Sequence, residues 1–339
     1  MKKIRLTYLN NRFRLFKEIM MKFDLTTFGE TMVRISVRAG ESLENATRVD
    51  LHTGGTESNT AVALARLGMK TAWVSRLTDN ALGRRIAADI ARHGVDISGV
   101  IWTKEDRVGT YYLEFATPPR SSAVLYDRRF SALSKLKPEE MDWKFLLNTR
   151  ILHLTGITPA LSPGCKQVVA EARKRAFQKK IPVSFDLNYR AKLWSPEKAA
   201  KTLAPLLTDC TILTMTREDA ETVFKIRGEP DAVVRELKRR FNPEIAVLTL
   251  GGKGGMTWDG RKLLFEPGYP ITETIDRLGA GDAFTAGLIF GWLQNDLELG
   301  LKFGIAVSAM KLGMSGDYFW GTREDVEQVL KSRGGDVRR

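Results

Sequence analysis

The sequence predicts an α/β fold in which an open, mostly parallel sheet carries helices on both faces, with a small β lid beside it. Three observations lead there. Short apolar runs at 151–155, 183–187, 211–215 and 245–250 have the composition of strands buried on both sides. Helical stretches, among them 167–179 and 230–240, separate those runs, and this alternation is the mark of crossover connections. Two segments, about 31–53 and 107–130, break the rhythm with period-two alternation and read as lid hairpins outside the main sheet.

The elements follow in order. Residues 1–20 carry Lys2, Lys3, Arg5, Arg12, Arg14 and Lys17 against Glu18 alone. They have no unbroken apolar core and no small-residue cleavage site, so they do not read as a secretory signal. We read them as an extension ahead of a start at Met20 or Met21, with an Arg-rich targeting segment as the alternative. One domain, 21–332, follows, and 333–339 form a tail. Residues 25–29 form the first strand, and 31–37 alternate with period two. After Gly54-Gly55, the residues Ala61, Leu64 and Ala65 lie at helical spacing within 59–67, and Gly68 stops that helix. A strand at 71–75 leads to a helix at 83–93. Segments 107–115 and 123–128 flank the turn-prone run Thr117-Pro118-Pro119-Arg120 and make a hairpin. The last assigned element, 282–293, is apolar around most of its circumference and so belongs inside. Gly287 and Gly291 on it suit close packing against a neighbouring helix.

Composition narrows the function classes. Hydrophobic residues make up 43% and charged residues 27%, the balance of a globular protein. The apolar run 283–293 falls well short of the ~20 residues of a membrane span. The net charge is +13, but lysines and arginines are scattered and no aromatic-interleaved basic stripe appears, so nucleic acid is not expected as a partner. A basic solvated surface, or a field that favours an anionic substrate, accounts for the charge. Cys165, Cys210, His52, His93 and His153 have no zinc spacing, and two lone thiols suit a reducing, cytoplasmic setting.

Three constellations carry chemistry. The first runs from Thr274 to Phe284, where Gly279, Ala280 and Gly281 let backbone approach a ligand and open a helix. The first amides of a helix lack intrahelical acceptors and, with the dipole, stabilise a transferring phosphoryl group. Asp282 sits where it can take a proton from an attacking hydroxyl, or it merely caps the helix; spacing alone leaves both readings open. The second is Gly54-Gly55-Thr56-Glu57-Ser58-Asn59, glycines and a short amide suited to sugar hydroxyls, though Gly-Gly before a helix is common. The third is Thr249-Leu250-Gly251-Gly252-Lys253-Gly254-Gly255, which reads equally as a phosphate-wrapping loop or a tight hairpin turn. It lacks the P-loop pattern.

Together these blocks resemble the ribokinase-type carbohydrate kinases (the phosphofructokinase B family), over about 23–330. The resemblance implies a ribokinase-like sheet with a lid closing over a sugar, ATP and Mg2+ as cofactors, and Asp282 as catalytic base beside the amides of Gly279, Ala280 and Gly281. It places Thr249, Gly251, Lys253 and Gly254, with Asn188, Tyr189 and Arg190, around the nucleotide. Two departures stand out. Arg277 occupies a position where relatives carry Thr, and Thr216-Arg217-Glu218-Asp219 replaces an Asn-x-x-Glu turn that organises the metal's water shell. Glu218 and Asp219 are the metal residues implied, acting through water.

Specificity lies elsewhere. Arg128 and Arg190 can each pair bidentately with a carboxylate, which a neutral sugar does not offer; holding phosphates or making ion pairs are the other readings. The segments Tyr126-Asp127-Arg128-Arg129-Phe130-Ser131-Ala132 and Asp186-Leu187-Asn188-Tyr189-Arg190 resemble those of the 2-keto-3-deoxygluconate kinases. That resemblance implies a sugar acid bound by Gly54, Gly55, Asn59, Tyr112, Tyr126, Asp127, Arg128, Arg190 and Asp317, and phosphorylated on its primary hydroxyl. The alternatives are another sugar acid such as 2-keto-3-deoxygalactonate, a neutral sugar such as fructose or ribose, or a nucleotide-binding regulator. A dinucleotide oxidoreductase fails, because no Gly-x-Gly-x-x-Gly follows the first strand. Edge strands in the lid make a homo-oligomer an expectation.

Overall fold

The computed structural model describes residues 21–116 and 121–332. The extension 1–20, the turn 117–120 and the tail 333–339 lie outside the described residues. Among the described residues the main sheet has eight strands. β1 (Phe23–Phe28), β4 (Thr71–Val74), β9 (Thr149–Thr155), β10 (Val183–Asp186), β11 (Ile212–Thr216) and β12 (Ile245–Thr249) pair in parallel in the order β12-β11-β10-β9-β1-β4. Crossovers demand this, since a tight turn joins only antiparallel neighbours. β13 (Gly254–Trp258) and β14 (Leu263–Pro267) extend the β12 side antiparallel. The glycine-rich run at 249–255 therefore does form a tight hairpin turn, its 3-10 segment spanning Gly251–Lys253.

Alternate residues of each strand feed two cores. Leu152, Leu213 and Leu248 face the helices Pro163–Gln178, Pro196–Leu207, Arg217–Phe224 and Pro230–Phe241. Ile151, Ile212 and Val247 face the helices Thr56–Arg66, Ala81–Ala91, Ala280–Leu293 and Leu297–Leu312. Burying both faces explains why these strands are mostly apolar, with Thr26, Thr27, His153, Ser184 and Thr214 among the buried polar exceptions. On Ala280–Leu293, the expected close approach is real. A Cβ on Gly291 would stand 2.1 Å from the backbone nitrogen of Gly300, and Phe290 stacks on Phe303 at 4.6 Å. Cys165 and Cys210 are free and buried, and burial pushes their thiols up to about 11 and about 12.

The lid is a separate four-stranded sheet. β2 (Met32–Ser36) and β3 (Asp50–Gly54) are one antiparallel pair, β7 (Thr110–Glu114) and β8 (Ala123–Asp127) another, and β2 joins β7 in parallel. A further parallel pair, β5 (Arg76–Thr78) with β6 (Ile101–Thr103), was not read from sequence, its strands being three residues each. Among the described residues no helix is long and apolar enough to cross a membrane.

Candidate active site

The site is built on one turn. Gly279 adopts φ 81°, the left-handed region, and a Cβ there would stand 1.9 Å from the Asp317 carbonyl oxygen, so only glycine fits. It caps the helix Ala280–Leu293 with no side-chain hydrogen bond to the first turn, leaving those amides to an incoming anion. A Cβ on Gly281 would meet nothing within 4 Å, so the turn is open on that side.

Asp282 is not the cap, which is Gly279; it stands in the first helical turn and reaches across to a second helix. Thr56 Oγ1 donates to its Oδ1 at 2.5 Å and Asn59 Nδ2 to its Oδ2 at 2.7 Å. Asn59 Oδ1 accepts the Gly55 N–H. Asn59, expected on the sugar, instead aims the carboxylate, because Thr56–Arg66 packs beside Ala280–Leu293. Asn188, in the left-handed conformation (φ 43°), donates to Thr56 Oγ1 at 2.8 Å and extends the chain to β10. Burial raises the Asp282 pKa, while Thr56, Asn59 and the charge of Arg190 oppose the rise. Asp186, at the end of β10, is pushed up to about 7 by burial and then by the charges of Asp282 and Asp219. Glu57, under Gly29, is also pushed up to about 7 by burial, with Thr155 and Thr158 donating to it.

A second network ties the lid to this turn. Arg34 of β2 is 1% exposed, and its Nη1 pairs with Asp276 at 2.6 Å and Asp317 at 2.8 Å. Tyr111 donates to Asp317 Oδ2 at 2.7 Å. A Cβ on Gly54 would lie 2.4 Å from that carboxylate, which explains the first glycine of the pair. Asp317, expected to close the pocket, is held here by Arg34 and Tyr111. Tyr112 does not reach it: strand alternation sends Tyr111 and Tyr126 inward, their rings 5.9 Å apart, and Tyr112 outward opposite Leu125. The same alternation removes Asp127, which is exposed and pairs with Arg107 at 2.7 Å.

Beside the turn lies an open cleft of about 320 Å³ lined by Ser122, Tyr126, Arg128, Arg190, Lys192 and Leu193, among others. The structure brings Tyr126, Arg128 and Arg190 together there as expected and adds Lys192. Arg128 is held by Glu30 at 2.5 Å in a buried pair. Arg190 is exposed, donates to the Tyr189 carbonyl, and its charge opposes the burial-driven rise in pKa of Asp282, Asp186 and Asp219. Tyr189 belongs to the core, its hydroxyl donating to Trp194 O, which corrects its reading as a nucleotide residue.

Of the residues expected around the nucleotide, Thr249 ends β12, and Gly251 and Lys253 are exposed on the hairpin turn. Gly254 (φ 114°) packs against Glu266. Thr216 caps Arg217–Phe224 by accepting the Asp219 N–H at 2.9 Å. Arg277 is exposed. Among the described residues no group of three or more His, Cys, Asp or Glu side chains is arranged to hold a metal, so Glu218 and Asp219 form no cage of their own. Sequence reasoning missed Arg34, Thr56, Tyr111, Asp186 and Asp276. The available signals were an arginine inside an apolar strand and polar residues within the two glycine blocks.

Residues 22–322 match the profile of the pfkB family carbohydrate kinases. A protein of Haloferax volcanii named 2-dehydro-3-deoxygalactonokinase is 36% identical over 94% of this chain and 99% of its own. One of Bacillus subtilis named 2-dehydro-3-deoxygluconokinase is 29% identical over 92% of this chain and 97% of its own. The crystal structure of 2-dehydro-3-deoxygluconokinase from Thermotoga maritima superposes with a TM-score of 0.86 at 33% identity, covering 91% of this chain and 98% of that one.

Proposed function

This chain belongs to the pfkB family of carbohydrate kinases and is a sugar kinase, and from that premise we propose that it transfers the γ-phosphoryl group of ATP to the primary hydroxyl of 2-keto-3-deoxygluconate. The observation that carries the reading is the Asp282 carboxylate. It is buried at the mouth of a helix, oriented by Thr56 and Asn59, and set beside uncapped amides.

Asp282 takes the hydroxyl proton as the oxygen attacks phosphorus. Its burial makes it a stronger base than an exposed aspartate. The amides of Ala280 and Gly281 hold the charge that develops on the phosphoryl oxygens. Lys253 and the hairpin turn carry the nucleotide. Arg190, whose charge reaches Asp282, and Arg128 face the cleft from which the acid end of the sugar enters. Magnesium fits as a companion of the nucleotide, because a hard cation takes many of its oxygens from phosphates and water. Asp186 and Asp219, both pushed above the carboxylate range chiefly by burial, are hard donors whose charge it would offset. When bound, it neutralises phosphate charge.

A coupled ADP-release assay across 2-keto-3-deoxygluconate, its C4 epimer, fructose and ribose tests the reading. We expect kcat/KM for a 2-keto-3-deoxy acid to exceed that for the neutral sugars by roughly tenfold or more, the worth of one charge-assisted contact. Equal or better turnover of fructose or ribose would sink it. The galactonate epimer is the second reading, favoured by the name of the 36% identical relative.

A further inference from the structure

One buried charge has no part in the chemistry above. Lys311, near the end of the helix Leu297–Leu312, is fully buried. Its Nζ donates to the Met314 carbonyl at 3.0 Å and to the Asp276 carbonyl at 3.2 Å. Among the described residues no carboxylate oxygen lies within ion-pair distance of it. Taking an ammonium out of water is expensive, and burial accordingly pushes its pKa down while the fields of Asp276 and Asp317 push back. A contact with Met314 alone would be ordinary capping of a helix C-terminus. The bond to Asp276, 35 residues away in sequence, is not capping.

The two acceptors begin the two turns that meet at Gly279. Asp276 opens the turn into the helix Ala280–Leu293, and Met314 opens the turn that ends at Asp317. The Asp317 carbonyl fills the space where Gly279 would carry a Cβ. Other bonds join the same pieces: Ile275 and Asp276 donate to Leu312 O, and Gly316 N donates to Asp276 Oδ2. Lys311 brings a second positive charge to this carbonyl-rich junction: Arg34 holds the Asp276 and Asp317 carboxylates, and Lys311 holds the Asp276 and Met314 carbonyls.

We infer that Lys311 is a positioning residue, an internal cation that clamps the 276–279 and 314–317 turns together and thereby fixes where the amides of Ala280 and Gly281 and the Asp282 carboxylate point. This rests on the placement of the phosphoryl site proposed above. It leads to a behaviour that packing alone would not produce. A small free cation should replace the ammonium once the side chain is cut away.

Lys311→Met keeps the stem but loses charge and donors; Lys311→Ala opens a space walled by two carbonyl oxygens. Both are assayed with whichever sugar the wild type phosphorylates. Because a misplacement of about 1 Å can cost ~10²-fold, kcat is expected to fall roughly 30–100-fold in each, with KM for the sugar changed less than about threefold. Ammonium or potassium ions should return about tenfold to Lys311→Ala but nothing to Lys311→Met. A Met variant within about threefold of wild type overturns the inference, as does a folded Ala variant indifferent to both ions. If the Met variant does not fold, rescue of the Ala variant decides. If neither folds in sodium, refolding of the Ala variant in ammonium decides, and its failure overturns the clamp. The function reading fails separately: wild type inactive on every sugar acid refutes the substrate, and an active Asp282→Asn refutes the base.

Discussion

The turn at 276–282 and the cleft around Arg190 lie side by side and are built on opposite principles. Around the turn each partner is buried and held more than once. Asp282 has two donors, Asp276 accepts from Arg34, Leu278 and Gly316, and Gly279 has no room for a side chain. In the cleft, Arg190 and Lys192 stand solvent-exposed at an open edge, while Arg128 is held by its buried pair with Glu30. A group that must meet phosphorus in a fixed geometry gains from over-determination, because barrier lowering depends on preorganised donors. A group that captures a carboxylate can wait in water and desolvate on binding. On the function proposed above, chemistry is set in the protein's interior and substrate choice at its rim.

The sharpest way to break that contrast is Asp282→Asn. The amide matches the carboxylate in shape but cannot accept the proton, so kcat should fall ~10²–10⁴-fold with the fold retained. A variant that keeps more than about a tenth of wild-type turnover, with unchanged thermal melting, would show that the turn is scaffold only.

The two faces of the lid sheet offer the next test. On the inner face Arg34 is sealed between Asp276 and Asp317; on the outer face Arg107 and Asp127 pair at 40% and 55% side-chain exposure. Removing one partner of a buried pair strands the other, so Arg34→Met should destabilise the fold by about 3–5 kcal/mol. Arg107→Ala should cost less than about 1 kcal/mol, since solvent screens that pair. Urea denaturation of both variants measures the difference, and comparable losses would mean that burial does not separate the faces.

These same residues mark how far the sequence could be read. The main sheet was legible because strands buried on two faces are mostly apolar, and the turn at 276–282 because Gly279 and Asp282 carry their own constraint. The lid was legible as alternation, but alternation gives a period without its phase. That is why Tyr112 and Asp127 were assigned to the site, while Tyr111 and Tyr126 are the residues turned inward. Arg34 in Met-Val-Arg-Ile-Ser was visible as a charge in an apolar strand. What it pairs with lies at the far end of the chain, and a partner more than 240 residues away has no local signature.

On the cleft side, Arg190→Ala should lower kcat/KM for a sugar acid roughly 10–100-fold, as expected for losing a charge-assisted bond to the substrate. Turnover of any neutral sugar should change much less. If acid and neutral substrates lose equally, Arg190 acts on Asp282 or the nucleotide rather than on the carboxylate, and the rim is less separate from the interior than drawn here.

The smallest effect tests the boundary itself. Burial raises the Asp282 pKa, and the Thr56 hydroxyl is the first influence opposing that rise. A base must be deprotonated to act, so kcat/KM should decline as pH falls through a value above the ordinary aspartate range. Thr56→Val keeps the side-chain shape, removes the donor, and also takes away the nearer acceptor of Asn188, leaving it Asp186 Oδ2 at 3.5 Å. The acid limb should then move to higher pH, with kcat on the alkaline plateau down roughly tenfold or less, the scale of one hydrogen bond. Stability moves in the opposite direction with pH. A carboxyl whose folded pKa is raised favours the folded state at low pH and loses that contribution as pH rises past its unfolded value, more steeply in Thr56→Val. An acid limb that stays in place while kcat drops would assign Thr56 to aiming the carboxylate rather than to tuning its charge.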